Sequence, residues 1–332
     1  MNYELTVSSS PHVHADHTTR TLMARVLLAL APAVVYSIWL YGFRALAVYA
    51  VSIAACVFFE WGYRRMMKKD CTVGDLSAVV TGLLMAMVCP PTVPYWMLIF
   101  GALFAIVVVK QLYGGIGKNF LNPALAARAF MMISWAALMT AWAKPQTWLD
   151  ITSNYTAPGV LDGITAATPL AAMKDGNLPL VGIWDAFVGN VGGCLGESSA
   201  LLLAVGGIYL MVRKVISFRI PVSFIATVAL LAFLFPQGND RFVWMGYQVF
   251  TGGVFLGAIF MATDYVTSPV SAWGQVVFGI GCGALTILIR YFGGYPEGVS
   301  FAILIMNVLV GFLDRLGVPA RYGAGRKGGK TA

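Results

Sequence analysis

Ten apolar runs follow one another along this 332-residue chain and leave it few ways to fold. They fall at about 22–41, 44–62, 73–89, 94–113, 121–142, 198–212, 217–235, 247–263, 272–291 and 299–316. A run of about 20 apolar residues is long enough to cross a bilayer as a helix, and a helix satisfies its own backbone hydrogen bonds in lipid. Hydrophobic residues make up 59% of the chain and charged residues 11%, against about 25% charged in a soluble domain. The expected fold is therefore an all-α integral membrane protein. It is read as a single polytopic domain over 1–332, with membrane lipid as its surroundings. Its parts are a first unit over about 22–142, a polar loop over about 143–197, a second unit over about 198–316 and a basic tail over 317–332.

The net charge of +8 does not indicate a nucleic-acid partner, because the positive residues sit at span ends, as membrane topology demands. Cys56, Cys71, Cys89, Cys194 and Cys282 show no C-x-x-C spacing, which argues against an iron–sulfur or zinc site built from this chain alone. Residues 1–20 are polar, so no cleavable signal peptide is expected.

Basic residues orient the spans. With a cytoplasmic N-terminus, 16 of the 22 Lys and Arg lie inside and 5 outside, namely Arg44, Lys144, Lys174, Arg241 and Arg290; Arg128 falls within a span. Both termini are then cytoplasmic and the 143–197 loop faces outward. An internal echo accompanies this layout. Residues 85–96, M-A-M-V-C-P-P-T-V-P-Y-W, resemble 261–273, and Gly114-Gly115 resembles Gly293-Gly294, at offsets of 176 to 179 residues. Five spans per unit is an odd number, so the expectation is an inverted five-plus-five repeat. Spans three and eight are short and interrupted, by Cys89-Pro90-Pro91-Thr92-Val93-Pro94 and by Asp264-Tyr265-Val266-Thr267-Ser268-Pro269. Interruptions at corresponding places point to a binding site near the repeat interface.

Six stretches then carry a resemblance that covers almost the whole chain: S-S-S-P-H-V-H, D-L-S-A-V-V-T-G-L-L-M-A-M with its P-P-T-V-P-Y-W end, G-G-I-G-K-N-F-L-N-P-A-L-A-A-R-A-F, D-G-I-T-A-A-T-P-L, F-M-A-T-D-Y-V-T-S-P and Y-P-E-G-V-S-F-A-I-L. The chain resembles the family that holds the D subunit of Rnf complexes and the B subunit of the sodium-pumping NADH:quinone oxidoreductase. The quinone-reductase subunit usually has a longer N-terminal extension, which favours the Rnf side. The resemblance implies an electron-transfer subunit of a translocase in a bacterial or archaeal cytoplasmic membrane, coupling ferredoxin and NAD chemistry to Na+ or H+ export. It implies partner subunits as well: a membrane iron–sulfur pair, a G-type subunit with covalent FMN, and peripheral subunits that react with NAD and ferredoxin. In that family the last threonine of D-x-x-[ST]-[GA]-A-T carries FMN through a phosphate ester, attached by a flavin transferase. Here the motif runs Asp162, Gly163, Ile164, Thr165, Ala166, Ala167, Thr168. Ala166 stands where many relatives have glycine.

The resemblance also implies a second, non-covalent flavin, riboflavin, with Asn119, Asn122 and Asp264 as its ligands. Amides and a carboxylate can hydrogen-bond ribityl hydroxyls or a flavin edge. The competing reading makes the asparagines helix caps, because N-P-A starts a helix with proline at its first position. Glu60, Asp75, Lys110, Asp264 and Asp314 are expected near span ends, within reach of water, and only Arg128 deeper, paired with a carboxylate or a flavin phosphate. No catalytic residue and no metal ligand is expected. His12, His14 and His17 read as a polar terminus. G-A-G-R-K-G at 323–328 lacks the strand and helix of a dinucleotide fold. A channel or small-solute transporter remains the alternative from another class, since broken helices and inverted repeats serve transport equally well.

Overall fold

The computed structural model describes residues 18–146, 148–151, 168–174, 179, 181–197, 199–238, 240–294 and 297–317. Among these there are helices and connecting turns and no β-strand. The first half contains α1 (Thr19–Tyr41), α2 (Phe43–Met66), α3 (Ser77–Met87), α4 (Tyr95–Leu103, continued by a π-helical stretch Phe104–Gln111), α5 (Pro123–Ser134) and the short α6 (Ala136–Met139). Two short helices follow, α7 (Pro169–Lys174) and α8 (Ile183–Val188). The second half contains α9 (Ala200–Val212), α10 (Arg219–Leu234), α11 (Arg241–Phe250), α12 (Val254–Leu256, continued by π-helical Gly257–Met261), α13 (Ala272–Phe292) and α14 (Val299–Leu313).

Every expected span contains a helix, but the lengths differ from expectation. By length and composition α1, α2 and α13 can cross a membrane, and α11 with α12 would be a fourth span, bent by 56°. The other apolar helices have 10–17 residues. At 1.5 Å per residue the 12 residues of α5 reach only about 18 Å, well short of a ~30 Å hydrocarbon core. The eighth run starts earlier than expected and breaks at Thr251-Gly252-Gly253, where both glycines have positive φ (71° and 69°). The fifth run breaks at Trp135.

Equivalent pairings recur in the two halves. Helix α2 packs on α4 as α10 packs on α13, and α4 packs on α5 as α13 packs on α14; α2 also packs on α3, and α10 on α11. The halves meet where α1 crosses α9 and where α5 meets α14. Glycines permit the closest crossings. A Cβ at Gly283 would sit 2.9 Å from the Phe224 carbonyl, and one at Gly206 would sit 2.4 Å from the Ala29 carbonyl. Such small-residue faces let helix backbones approach where lipid offers no hydrophobic drive for association.

Buried arginines close the ends of broken helices. Arg44 donates to the carbonyls of Val93 (2.8 Å) and Ile151 (3.0 Å) and lies 4.0 Å from the Tyr95 ring centre. Arg290 donates to the carbonyls of Gln248, Thr251 (3.0 Å) and Gly252 (3.1 Å), all at the α11–α12 break. Both are buried, at the ends of α2 and α13.

Replacement of Gly283 by Val should collapse the yield of folded, monodisperse protein in detergent. Gly62→Ala should leave that yield unchanged and the stability within about 1 kcal/mol of the parent, because nothing lies within 4 Å of a Cβ there. Fluorescence-detected gel filtration of both variants checks this.

Candidate functional site

Two polar regions interrupt the apolar interior, one at each end of the helices. The first begins with local chain chemistry at Asn122. Its side chain caps α5, accepting from the amides of Ala124 (3.1 Å) and Leu125 (3.3 Å), and Pro123 opens the helix. Its amide nitrogen donates across the half-interface to the Met261 carbonyl (3.2 Å), at the end of the π-helical stretch. The capping reading of Asn122 is thus its geometry. Asn119 donates to the Leu121 carbonyl (3.0 Å), and Asp264 accepts from the Thr267 hydroxyl (3.1 Å).

These three residues, expected to act together, line one cavity of about 380 Å³. Apolar side chains such as Val26, Leu84 and Phe260 form most of its wall, with Ser77, Thr81 and Lys110 as further polar groups. A volume above about 300 Å³ with an apolar lining and a few convergent polar groups is the usual form of a small-molecule site. Both π-helical stretches reach this wall, through Lys110 and through Ile259 and Phe260. Such stretches occur often at functional sites.

Lys110 and Glu60 differ from the sequence expectation. Both are buried, and they form an ion pair of 2.9 Å. Lys110 also donates to Ser77 (2.7 Å), and Glu60 accepts from Thr72 (2.8 Å) and Gln111 (3.0 Å). Fifty residues separate the partners, and each alone looked like a span-end charge. The missed signal was that a carboxylate and an ammonium inside apolar runs are costly unless paired.

The second region surrounds Arg128, which does lie deep and does pair with a carboxylate. It forms an ion pair with Glu297 and donates to Ser300 (3.1 Å). Cys194 donates its thiol proton to the Val88 carbonyl (3.1 Å), beyond the last residue of α3. Glu197 accepts from the Cys194 amide (3.4 Å). Leu195 donates to the Cys89 carbonyl (3.0 Å), which anchors this turn at the Pro90-Pro91 break. Cys194, Glu197 and Glu297 lie close enough together to suggest a metal centre. The thiol–carbonyl bond and the guanidinium on Glu297 describe a hydrogen-bonded ion-pair network instead.

Thr168 belongs to this region. It is 4% exposed and precedes α7, and its hydroxyl accepts from the Ala171 amide (3.2 Å). With Glu197, Glu297, Thr251 and Gly252 it lines a small cavity. Asp162, Gly163, Thr165 and Ala167 lie outside the described residues, as do His12, His14 and His17. Neither Glu197 nor Glu297 stood out in the sequence, because both fall just outside the apolar runs at about 198–212 and 299–316.

Glu297→Gln should destabilise the protein by about 3–5 kcal/mol, since it leaves the Arg128 guanidinium buried without its counter-charge. The double variant Arg128→Met, Glu297→Gln should recover most of that loss. Thermal unfolding in detergent checks both.

Known relatives extend across nearly the whole of this arrangement. Residues 6–323 match the family described as the NQR2, RnfD, RnfE family. The chain is 45% identical over 322 residues to the D subunit of the Na(+)-translocating ferredoxin:NAD(+) oxidoreductase complex of Acetobacterium woodii, covering 96% of this chain and 95% of that one. It is 40% identical to the D subunit of the proton-translocating ferredoxin:NAD(+) oxidoreductase complex of Clostridium ljungdahlii, covering 97% of each. It is 37% identical to the D subunit of the ion-translocating oxidoreductase complex of Stutzerimonas stutzeri, covering 92% and 93%. This chain belongs to the NQR2, RnfD, RnfE family.

Proposed function

We propose that this protein is the membrane electron-transfer component of an Rnf-type complex, its D subunit, with FMN esterified to Thr168 and riboflavin held in the cavity of Asn119, Asn122 and Asp264. Relatives that match over more than nine-tenths of the chain are named as D subunits of ion-translocating complexes. The supporting observation is the meeting of Asn119, Asn122 and Asp264 on one cavity of about 380 Å³, on the scale of a small-molecule site.

The chain supplies placement. Flavins contribute one- and two-electron exchange when bound. Asn122 is held rigid by its cap and by Met261, which fixes the cavity wall between the halves. The carbonyl oxygen of Asn119 has no partner among the described residues, so it remains an acceptor for a ribityl hydroxyl. Val26, Leu84 and Phe260 offer apolar contact to a ring. On the other side Thr168 and the Arg128–Glu297 network lie beyond Met261 and Met87, so the two proposed flavin positions flank the middle of the fold.

The remaining features of this reading are an inverted five-plus-five repeat, both termini in the cytoplasm, the 143–197 segment outside a bacterial or archaeal cytoplasmic membrane, and coupling to Na+ or H+. Its partners are an iron–sulfur membrane pair, a G-type FMN subunit, peripheral NAD- and ferredoxin-reacting subunits and a flavin transferase. The recurring helix pairings and the shared 176–179 offset support the repeat. Buried Arg44 and Arg290 support the orientation, because they leave few basic residues outside.

Co-expression with a flavin transferase should give a band that fluoresces under ultraviolet light after denaturing electrophoresis, and Thr168→Val should be dark. A dark parent band from cells that flavinylate other proteins overturns the FMN assignment. Asn119→Leu should keep the fluorescent band yet lower extractable riboflavin roughly tenfold, the scale of one lost buried hydrogen bond. Chromatography of the denatured supernatant reads that loss.

A further inference from the structure

One buried proton on the wall of the inner cavity is left without an acceptor. Lys110 donates to the Ser77 oxygen (2.7 Å) and to both oxygens of Glu60. An ammonium only donates, so the Ser77 oxygen accepts there and its own O–H must be spent elsewhere. Among the described residues nothing accepts it. Ser77 is buried and borders the cavity of about 380 Å³. Thr81, Thr263 and Tyr265 border it too, but their hydroxyls are spent on the carbonyls of Ser77 (2.9 Å), Ile259 (2.6 Å) and Val215. A buried donor without an acceptor is unfavourable, and the cavity is the open space beside this one.

The corner around Ser77 presents positive charge to that space. Leu76 takes a left-handed backbone (φ 61°), and Ser77 opens α3, whose N-terminus no side chain caps. The first amides of a helix carry partial positive charge. Lys110 is the one Lys or Arg among the described residues that line the cavity, while its counter-charge Glu60 does not line it. Hydroxyl, ammonium and helix end therefore act together on whatever group meets Ser77.

Other polar groups on the wall offer acceptors. Asn119 has a free carbonyl oxygen, and Asp264 has a carboxylate that interacts electrostatically with Lys110. Acceptors suit hydroxyls. A positive donor corner suits a carbonyl or ring nitrogen on which negative charge gathers during reduction. The cavity can thus tell one end of a flavin from the other.

We propose that the Ser77 hydroxyl, backed by Lys110 and the start of α3, binds the carbonyl edge of the flavin ring and raises its reduction potential. The inference rests on the riboflavin reading above and adds an orientation to it: ring carbonyls at Ser77, ribityl hydroxyls at Asn119 and Asp264. A hydrogen bond strengthens when its acceptor becomes more negative, so Ser77 holds the reduced ring more tightly than the oxidised one. Lys110 and Glu60 are positioning residues, which fix the Ser77 oxygen as an acceptor and turn its proton to the ligand.

Spectroelectrochemical titration of the full chain in lipid nanodiscs, saturated with riboflavin, tests it. Thr168→Val serves as background, so that the extractable flavin is the one read. Ser77→Ala should keep riboflavin and lower its midpoint potential. A roughly tenfold greater loss of affinity for the reduced ring than for the oxidised one equals about 30 mV for a two-electron couple. The infrared carbonyl stretch of the bound ring should rise as its hydrogen bond is lost. Thr81→Val is the control, because that hydroxyl is already bonded within α3; its midpoint and carbonyl band should match the parent. If Ser77→Ala folds poorly, Ser77→Cys, a weak donor of similar shape, should show a smaller fall in midpoint. A riboflavin-loaded Ser77→Ala, or Ser77→Cys in its place, with the parental midpoint and carbonyl band overturns the assignment and leaves the flavin reading intact. So does a Thr81→Val that shifts as far. A parent without extractable riboflavin overturns that reading and the assignment with it.

Discussion

Arg290 occupies the place where the second half of the chain could not otherwise fold. The α11–α12 break at Thr251-Gly252-Gly253 frees backbone carbonyls in an apolar interior, and each unsatisfied carbonyl there would cost several kcal/mol. One guanidinium answers the carbonyls of Gln248, Thr251 and Gly252 together. Arg44 does the same for Val93 and Ile151 beside the Pro90–Pro94 break. The planar five-donor fork suits this task, as an ammonium would not. With the breaks secured, backbone and polar side chains can enter the middle of the bundle.

What the breaks admit is a chain of polar places rather than a continuous channel. The large inner cavity ends at Asn122 and Met261, a small cavity lies beside Arg128, and another lies beside Thr168. Each step is bounded by residues with more than one role. Asn122 caps α5 and ties it to the second half; Cys194 closes the end of α3 and faces Glu297. Close packing makes such places discrete, since a core side chain shifts between arrangements and does not deform smoothly.

The length of the apolar runs made the helices legible, and local capping chemistry made the α5 cap legible at N-P-A. The convergence of Asn119, Asn122 and Asp264 came from resemblance alone, because residues 142 apart in sequence share no local signal. Glu60–Lys110 and Arg128–Glu297 show why the polar pairs were hard to read. A single charge at the edge of an apolar run looks the same whether it turns to water or to a partner 50 or 169 residues away. Glu197 lies in the short 3-10 helix Leu195–Glu197 and Glu297 in the connection before α14, segments that dip inward where α3 and α11 stop short. Helix length beyond the apolar run was the missing variable: 11 residues of α3 cannot carry the chain across, so the next segment has to come in to meet it.

Electrostatics bears on the proposed tether as well. A phosphodiester at Thr168 would add a negative charge to a cavity lined by Glu197 and Glu297, with Arg128 on Glu297 and the Arg290 guanidinium on Gly252 as the neighbouring cations. Like charges in a low-dielectric site disfavour one another's ionised forms, so the two arginines are what would make an added anion tolerable there. Between exposed groups, salt screens such attraction over about 8 Å at physiological ionic strength, and buried groups are screened much less. The burial of Thr168 is thus a physical condition for that compensation, and a solvent-exposed tether would have lost it.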